Sequence, residues 1–307
     1  MVRGVDVAIG GARRSVFSVE AALLVRRLRL TVLVEDSASP ARRNLTAKHG
    51  LSINAEAEAE GRWFSFLIDS GPSADIVLRN VDALDVDLTR VKAIFLSHGH
   101  HDHTGGAVGV LRCIKRKTPV IAHPGVFEPK FKVTPALTYI GSPFKRTEVE
   151  ESGGLLLLSR SPVALMKDVS TTGEIERLAE YEKVTGFWTI ARERFVEDIL
   201  IDDQSLVFKV EGKGLVIVSG CAHSGIVNTV MQSRKVMGAE KIYAVVGGFH
   251  LSDATEERIR RTVEDMLQFD PEVLRPCHCT GQKAIQELRR AFGDRCDHFK
   301  TGDVIEL

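Results

Sequence analysis

The chain reads as an α/β layered fold, and three observations predict it. Short β-branched and apolar runs alternate with segments whose apolar residues recur at helical spacing. The loops between them are short, as in sheet-and-helix layers. The 307 residues are 44% hydrophobic and 27% charged, enough apolar material for a large core and unlike a disordered chain.

In order, LRLTVLVED (28–36) is β-branched with polar ends and predicts the first strand. GRWFSFLIDSG (61–71) predicts a second, ending at Asp69 and Gly71. DIVLRNVDALDVD (75–87) has helical apolar spacing. VKAIFLSHGHHDHTGG (91–106) is a buried strand running into a polar loop, and GAVGVLRCIKR (106–116) is a helix whose N-terminus faces that loop. TPVIAHP (118–124) is another strand. Residues 125–195 are less regular. They hold the strand-like runs LLLLS and PVALM, a Gly-Gly pair and the loop STTGEIER, and a cap or insertion is expected there.

From residue 203 the regular pattern returns. QSLVFKVEGKGLVIVSG predicts a hairpin turning between Glu211 and Gly214. IVNTVMQSRKVMG is a helix, IYAVVGG a strand, and ATEERIRRTVEDMLQF a strongly amphipathic helix. EVLRPCH is a strand, GQKAIQELRRAFG a helix and DVIEL a closing strand. With no repeat or linker, residues 28–307 are expected to form one domain of two sheet-and-helix halves. Residues 1–27 are expected to be an N-terminal extension: a short amphipathic helix, a frayed segment, or the product of a start codon placed too far upstream.

Basic and acidic residues balance at 41 each, so no global bias toward nucleic acid or anionic membrane exists. No apolar run reaches the roughly 18 residues of a membrane span. Arg13 and Arg14 interrupt the N-terminus, which argues against a secretory signal. Five scattered cysteines are not a disulfide framework; reduced thiols and a cytoplasmic location are expected. The expected partner is a small molecule, with neither nucleic acid nor membrane, and a homo-oligomer is left open.

The chemistry concentrates in SHGHHDH, which supplies His98, His100, Asp102 and His103, with His101 in a variable slot. Imidazole and carboxylate suit zinc, iron or manganese. A loop of this spacing at a strand end cannot turn every side chain toward one ion. It can serve two, His98 and His100 on one, Asp102 and His103 on the other. Three more histidines each follow a predicted strand: His223 in VSGCAHSG, His250 in VGGFH and His278 in RPCHCTG. Side chains alternate along a strand, so Cys277 and Cys279 point away from His278 if extended geometry persists to residue 279.

The SHGHHDH loop resembles that of the metallo-β-lactamase superfamily. The resemblance implies an αββα sandwich, two mixed β-sheets face to face with helices outside, and a metal centre on one edge whose further ligands come from later strand ends. Two ions need about two more protein ligands. His223 is expected on the first ion and His278 on the second. His250 is then either a hydrogen-bond donor to substrate or a support behind the ligands. Asp69 in LIDSG matches the superfamily's first motif, where it buttresses the metal loop by hydrogen bonds. Cys221 stands where many relatives carry a bridging aspartate, and is either a thiolate ligand or a small buried residue.

HGLS (49–52), STTGEI (170–175), DDQSL (202–206), GCAHSGIVN (220–228), GGFHL (247–251) and HCTG (278–281) together look like one branch of the superfamily, the 7,8-dihydropterin-6-methyl-4-(β-D-ribofuranosyl)aminobenzene-5′-phosphate synthases. That likeness runs from about residue 28 to the end. The chain departs from the branch at Ser70, Glu176 and Ala222, where threonine, proline and serine are usual. The branch implies a dinuclear enzyme acting on a phosphate-bearing small molecule, a pterin among the candidates. An arylamine would attack a methylene carbon as diphosphate leaves. Two divalent ions are implied, zinc first, with manganese or iron as alternatives. Asp102 and His250 are the expected catalytic residues, and Thr172, Gly173 and Gly248 join His250 as expected substrate contacts. Lys167, Arg177 and Arg192 are weaker phosphate candidates, and His49 and His123 read as structural. Two alternatives remain open. One is a hydrolase of phosphoesters, lactones or thioesters using a metal-bridged hydroxide. The other is a non-hydrolytic di-iron redox or binding module, disfavoured by His100 and by the lack of a flavin domain.

Overall fold

The computed structural model describes residues 24–307. Most of the expected extension, residues 1–23, lies outside the described residues. Of the remainder, Val25 is buried and bridges to Val210. The first strands are β1 (Arg27–Val34), β2 (Ser52–Ala59), β3 (Arg62–Ile68), β4 (Val91–Phe95), β5 (Thr118–Ala122), β6 (Lys130–Lys132), β7 (Thr138–Tyr139) and β8 (Gly154–Leu158). The later ones are β9 (Ala164–Met166), β10 (Val169–Thr171), β11 (Phe187–Ala191), β12 (Arg194–Glu197), β13 (Ser205–Val210), β14 (Gly214–Ser219), β15 (Ile242–Gly248), β16 (Val273–Cys277) and β17 (Val304–Glu306). The helices are α1 (Ala74–Ala83), α2 (His101–Thr104), α3 (Ala107–Ile114), α4 (Arg146–Glu151), α5 (Ile226–Met237), α6 (Glu256–Phe269) and α7 (Gln282–Phe292).

Two mixed sheets form the body. One runs β17-β1-β2-β3-β4-β5-β8 and the other β16-β15-β14-β13-β10-β9. Side-chain alternation builds the layers. Phe66 points between the sheets, where its ring lies 6.2 Å from that of Phe208; Leu67, one residue on, faces α1 and α3. In the other sheet Phe208 faces inward, while Val207 faces the cluster built on α5, α6 and α7. The result is the expected αββα sandwich. Burying one such aromatic contributes roughly 1.5–3 kcal/mol, so the two inner faces supply much of the stability. On α6, Thr255 caps the N-terminus by accepting from the Arg258 N–H, Glu256 and Glu257 face the positive end of the helix dipole, and Ile259, Thr262 and Met266 form the buried stripe.

Besides the short strands between residues 125 and 197, one strand goes unmarked in the sequence. Ser52–Ala59 reads SINAEAEA, a string of helix formers. Pairing overrides that propensity: Ala55, Ala57 and Ala59 join the inter-sheet core, while Glu56 and Glu58 reach Arg29 and Arg27 across the strand pair. Residues 125–195 divide three ways. β8 extends the first sheet, β9 and β10 extend the second, and β6, β7, β11 and β12 form a four-stranded sheet of their own, ordered β12-β11-β6-β7. No helix among the described residues is long and apolar enough to cross a membrane.

Candidate metal centre

The predicted ligands leave the carboxyl ends of parallel strands. Residues 98–103 follow β4, His223 follows β14, His250 follows β15 and His278 follows β16. Open α/β sheets bind ligands at that end because the loops there converge. Four non-glycine residues beside the site take left-handed backbone angles: Asp69, Ala222, His250 and His278, with φ between 45° and 55°. Such angles cost energy and cluster where function fixes the backbone.

The side chains converge as two trios. In the first, His98 Nε2 and His100 Nδ1 are 2.9 Å apart, and His223 Nε2 is 3.2 Å from each. In the second, His103 Nε2 and His278 Nε2 are 3.2 Å apart, and Asp102 Oδ2 lies 3.5 and 3.4 Å from them. Ligand atoms 2.0–2.1 Å from a tetrahedral ion stand about 3.3 Å apart. Both trios have that size.

Hydrogen bonding alone does not satisfy these triangles. Each ring nitrogen either donates or accepts, and three mutual neighbours cannot alternate. In the second trio the roles are fixed from behind. His103 Nδ1 meets Asp69 Oδ2 at 2.7 Å and His278 Nδ1 meets Asp36 Oδ1 at 2.8 Å. With both Nδ1 protons held by carboxylates, both Nε2 lone pairs face each other and the Asp102 carboxylate. A cation resolves all three contacts. In the first trio, burial above all pushes His98, His100 and His223 well below the ordinary imidazole value, leaving neutral rings with lone pairs to give. At His103 burial acts downward too, but the charges of Asp102 and Asp69 outweigh it and raise the ring. At His278 burial is outweighed by Cys279, Asp102 and Asp36. Without a cation this trio draws protons, and a metal ion would take their place. The donor set of five imidazoles and a carboxylate fits zinc or iron.

Asp69 reaches both trios. Its Oδ1 accepts from the Ser97 N–H, and its Oδ2 accepts from both His103 and Ser97 Oγ, which in turn lies 2.9 Å from His98 Nδ1. Carboxylates behind ligating imidazoles orient the ring and raise its basicity. The loop is fastened from the other side by Asp202, whose Oδ2 accepts from the Gly99 N–H and whose Oδ1 takes the buried Lys130 ammonium at 2.8 Å. Asp203, the next residue, accepts from the Ser224 N–H beside His223.

Cys221 Sγ lies 3.1 Å from His103 Nε2, on the rim of the second trio. Cys277 is buried in the core between the sheets. Cys279 departs from its predicted direction. β16 stops at Cys277 and residues 278–280 form a 3₁₀ turn, so alternation ends and Cys279 Sγ swings to within 3.6 Å of the Cys221 carbonyl. Cys221, His278 and Cys279 then bring their ligand atoms within 4.8 Å of one another. All five cysteines are free thiols.

The remaining predicted site residues are placed as follows. His250 borders the first trio, its ring 4.3 Å from that of His223, with Nδ1 buried and unpartnered. Thr172 and Gly173 are tied to the protein: the Ser205 N–H donates to Thr172 Oγ1, the Thr172 N–H donates to the Ser205 carbonyl, and Gly173 lies against Pro162. Gly248 packs on Gly220 and Cys279, where an added Cβ would stand 2.5–2.6 Å from either. His123 Nδ1 accepts from the Gly125 N–H and its Nε2 meets Glu174, a structural arrangement. Arg177 caps the carbonyls of Ile199 and Leu200.

Three residues stand at the site beyond the expected ones: Asp36 and Phe187, which sequence reasoning misses, and His49, which it reads as structural. His49 packs its ring 4.7 Å from that of His278, with Nδ1 on Asp36 and Nε2 3.5 Å from Asp102 Oδ2. The backbone forces this placement. Gly50, at φ 136°, lets the chain pass so close to Asp102 that an added Cβ would sit 2.4 Å from its carbonyl. The HGLS motif holds the signal for His49, but nothing local marks Asp36. Phe187 is the third, its ring 5.1 Å from that of His100 and 5.2 Å from that of His223.

An αββα sandwich with this histidine-rich edge is the build of the metallo-β-lactamase superfamily, and the chain belongs to it: residues 59–234 match that family model. More particular likenesses follow. A Methanocaldococcus jannaschii protein named 7,8-dihydropterin-6-methyl-4-(β-D-ribofuranosyl)-aminobenzene-5′-phosphate synthase is 36% identical over 292 residues, covering 92% of this chain and 98% of that protein. A second, uncharacterised protein of the same organism is 31% identical over 259 residues, covering 84% of this chain and 93% of that one. The crystal structure of Tm1679, described as a metal-dependent hydrolase of the β-lactamase superfamily, matches with a TM-score of 0.75 at 26% identity, covering 91% of this chain and 99% of that one.

Proposed function

We propose that this chain is a dinuclear metal enzyme acting on a phosphate-bearing small molecule, and that it joins an arylamine to a dihydropterin as its M. jannaschii relative is named for doing. The observation that carries the metal reading is the pair of donor triangles that hydrogen bonds cannot satisfy. His98, His100 and His223 would hold one ion, and Asp102, His103 and His278 the other, zinc before iron or manganese. Two such ions supply Lewis acidity and positive charge for an anionic leaving group. Asp69 and Asp36 keep the Nδ1 protons of His103 and His278 in place. Phe187 shields one side of the His100 and His223 rings from water. His250, with its unpartnered Nδ1, is the group proposed to meet substrate. Cys221 stands close enough to His103 to add a thiolate to the second ion.

A hydrolase is the second reading, favoured by the likeness to Tm1679. It would add water to a phosphoester, lactone or thioester with the same ligands. One experiment separates them. Protein prepared without chelators is analysed for metal, then given a hydroxymethyl-dihydropterin diphosphate with and without the arylamine phosphate. Release of diphosphate only when the amine is present supports the synthase. Release without it, or turnover of an ester panel alone, supports the hydrolase. Protein that takes up no divalent ion refutes both.

A further inference from the structure

The sheet formed by β6, β7, β11 and β12 lies outside the two layers, yet it touches the centre. β6 and β11 pair so that Phe187 stands opposite Lys132 and Thr189 opposite Lys130. Residues directly opposite on antiparallel strands share a face. That face turns inward, because Phe187 is only 4% exposed and its ring lies 5.1 Å from that of His100, 5.2 Å from that of His223 and 5.8 Å from that of His250. The Lys132 ammonium sits 5.1 Å from the Phe187 ring centroid. A cation over an aromatic face is held there by the ring's quadrupole, so Lys132 is steered rather than free to wander.

The two lysines of this face differ. Lys130 is buried and compensated, 3.0 Å from Asp198 and 2.8 Å from Asp202. Lys132 is exposed and makes no ion pair among the described residues. Beyond the same ring stands His250, whose buried Nδ1 also has no partner. An uncompensated ammonium and an unpartnered imidazole nitrogen therefore flank one aromatic wall beside the first trio.

We infer that this small sheet is the substrate-selecting wall of the site, and that Lys132 receives a phosphate monoester carried by the substrate away from its reacting atoms. The inference rests on the proposed reading of a phosphate-bearing small molecule and adds the residue that recognises the phosphate. An ammonium is a point-charge phosphate binder that tolerates different approach angles. The buried Phe187 ring fixes the direction of that ammonium beside the histidines, so a small aryl phosphate that reaches the site from solvent is a fitting probe of it.

The test uses metal-loaded full-length protein and phenyl phosphate as the probe, with binding measured by calorimetry. Lys132→Ala is expected to weaken binding by about tenfold, the loss of one charge-assisted contact. Lys132→Arg is expected to keep most of the affinity, and Lys132→Glu to abolish it. Metal content and melting temperature should match wild type in all three. If wild-type protein binds the probe and Lys132→Ala binds it equally well, this inference fails while the functional reading stands. Wild-type protein that takes up two ions but does not bind phenyl phosphate sinks the phosphate-bearing substrate itself, and this inference with it. A Lys132→Ala variant that loses an ion equivalent would assign Lys132 to the frame of the centre and overturn its role as a phosphate receptor.

Discussion

Asp202 and Asp203 are neighbours in sequence, and each holds one of the two loops that face each other across the site. Asp202 ties the 97–104 loop through the Gly99 N–H, and the Lys130 ammonium compensates its charge. Asp203 ties the His223 loop through the Ser224 N–H, but its Oδ1 is buried without a partner, and burial lifts its carboxyl to about 6. Glu182, accepting from the Val227 and Asn228 N–H groups just beyond, is buried likewise and lifted to about 7. The first loop is framed by compensated charge, the second by carboxyls that resist ionising. The difference teaches that the loop carrying four of the proposed ligands is held by paired charge, whereas the loop carrying one is held by carboxyls that burial keeps from ionising.

The largest effect should come from the ligands themselves, one from each loop. His103→Ala and His223→Ala are each expected to lose about one ion per chain by native mass spectrometry. Activity should fall by at least about a thousandfold, since a catalytic ion is worth several kcal/mol. A His223→Ala protein that retains two ions would break the comparison, because the second loop would then supply no ligand.

Next come the groups behind the ligands. Asp69→Asn disturbs His103 directly and His98 through Ser97, and should lower metal affinity or activity by about 10–100-fold, the usual cost of losing such a partner. Asp36 touches only His278 among the trio members and is 38% exposed, so Asp36→Asn should fall near the low end of that range. Competition with a chromophoric chelator measures both. Equal losses for the two variants would show that the bridge through Ser97 transmits nothing to the first trio.

The legible part of the site was the part written contiguously. SHGHHDH follows a buried strand, and the three later histidines each follow another, so strand pattern and ligand type gave their places together. Asp36, His49 and Phe187 come from separate stretches and reach the centre only through tertiary packing. His49 arrives because Gly50 passes against Asp102, a contact no local pattern announces. Ser52–Ala59 stayed hidden as a strand because alanine and glutamate favour helices until neighbouring strands pair with them. Cys279 misled for a smaller reason, since one left-handed residue at His278 ends the alternation on which its direction was argued.

The effect confined to folding stability is the sharpest test of the two frames. The folded Asp203 carboxyl titrates at about 6, above its ordinary 3.8, so the folded state holds this proton more tightly than the unfolded chain. Its contribution is fully present below pH 3.8 and is lost as pH rises through about 6. Each pKa unit corresponds to about 1.4 kcal/mol, which sets the effect at up to roughly 3 kcal/mol. The buried imidazoles act in the opposite sense, since His98, His100 and His223 must charge as pH falls. Comparing variant with wild type cancels that background. Asp203→Asn should therefore gain on wild type steadily between pH 4 and pH 6.5 in urea midpoints of metal-free protein, because asparagine keeps an acceptor for the Ser224 N–H and never ionises. Asp202→Asn, which leaves Lys130 with the charge of Asp198 alone and removes one of the two oxygens that serve Lys130 and the Gly99 N–H, should instead lose stability relative to wild type. Parallel curves for Asp203→Asn and wild type would mean that Asp203 is as well compensated as its neighbour, and the contrast between the two loops would disappear.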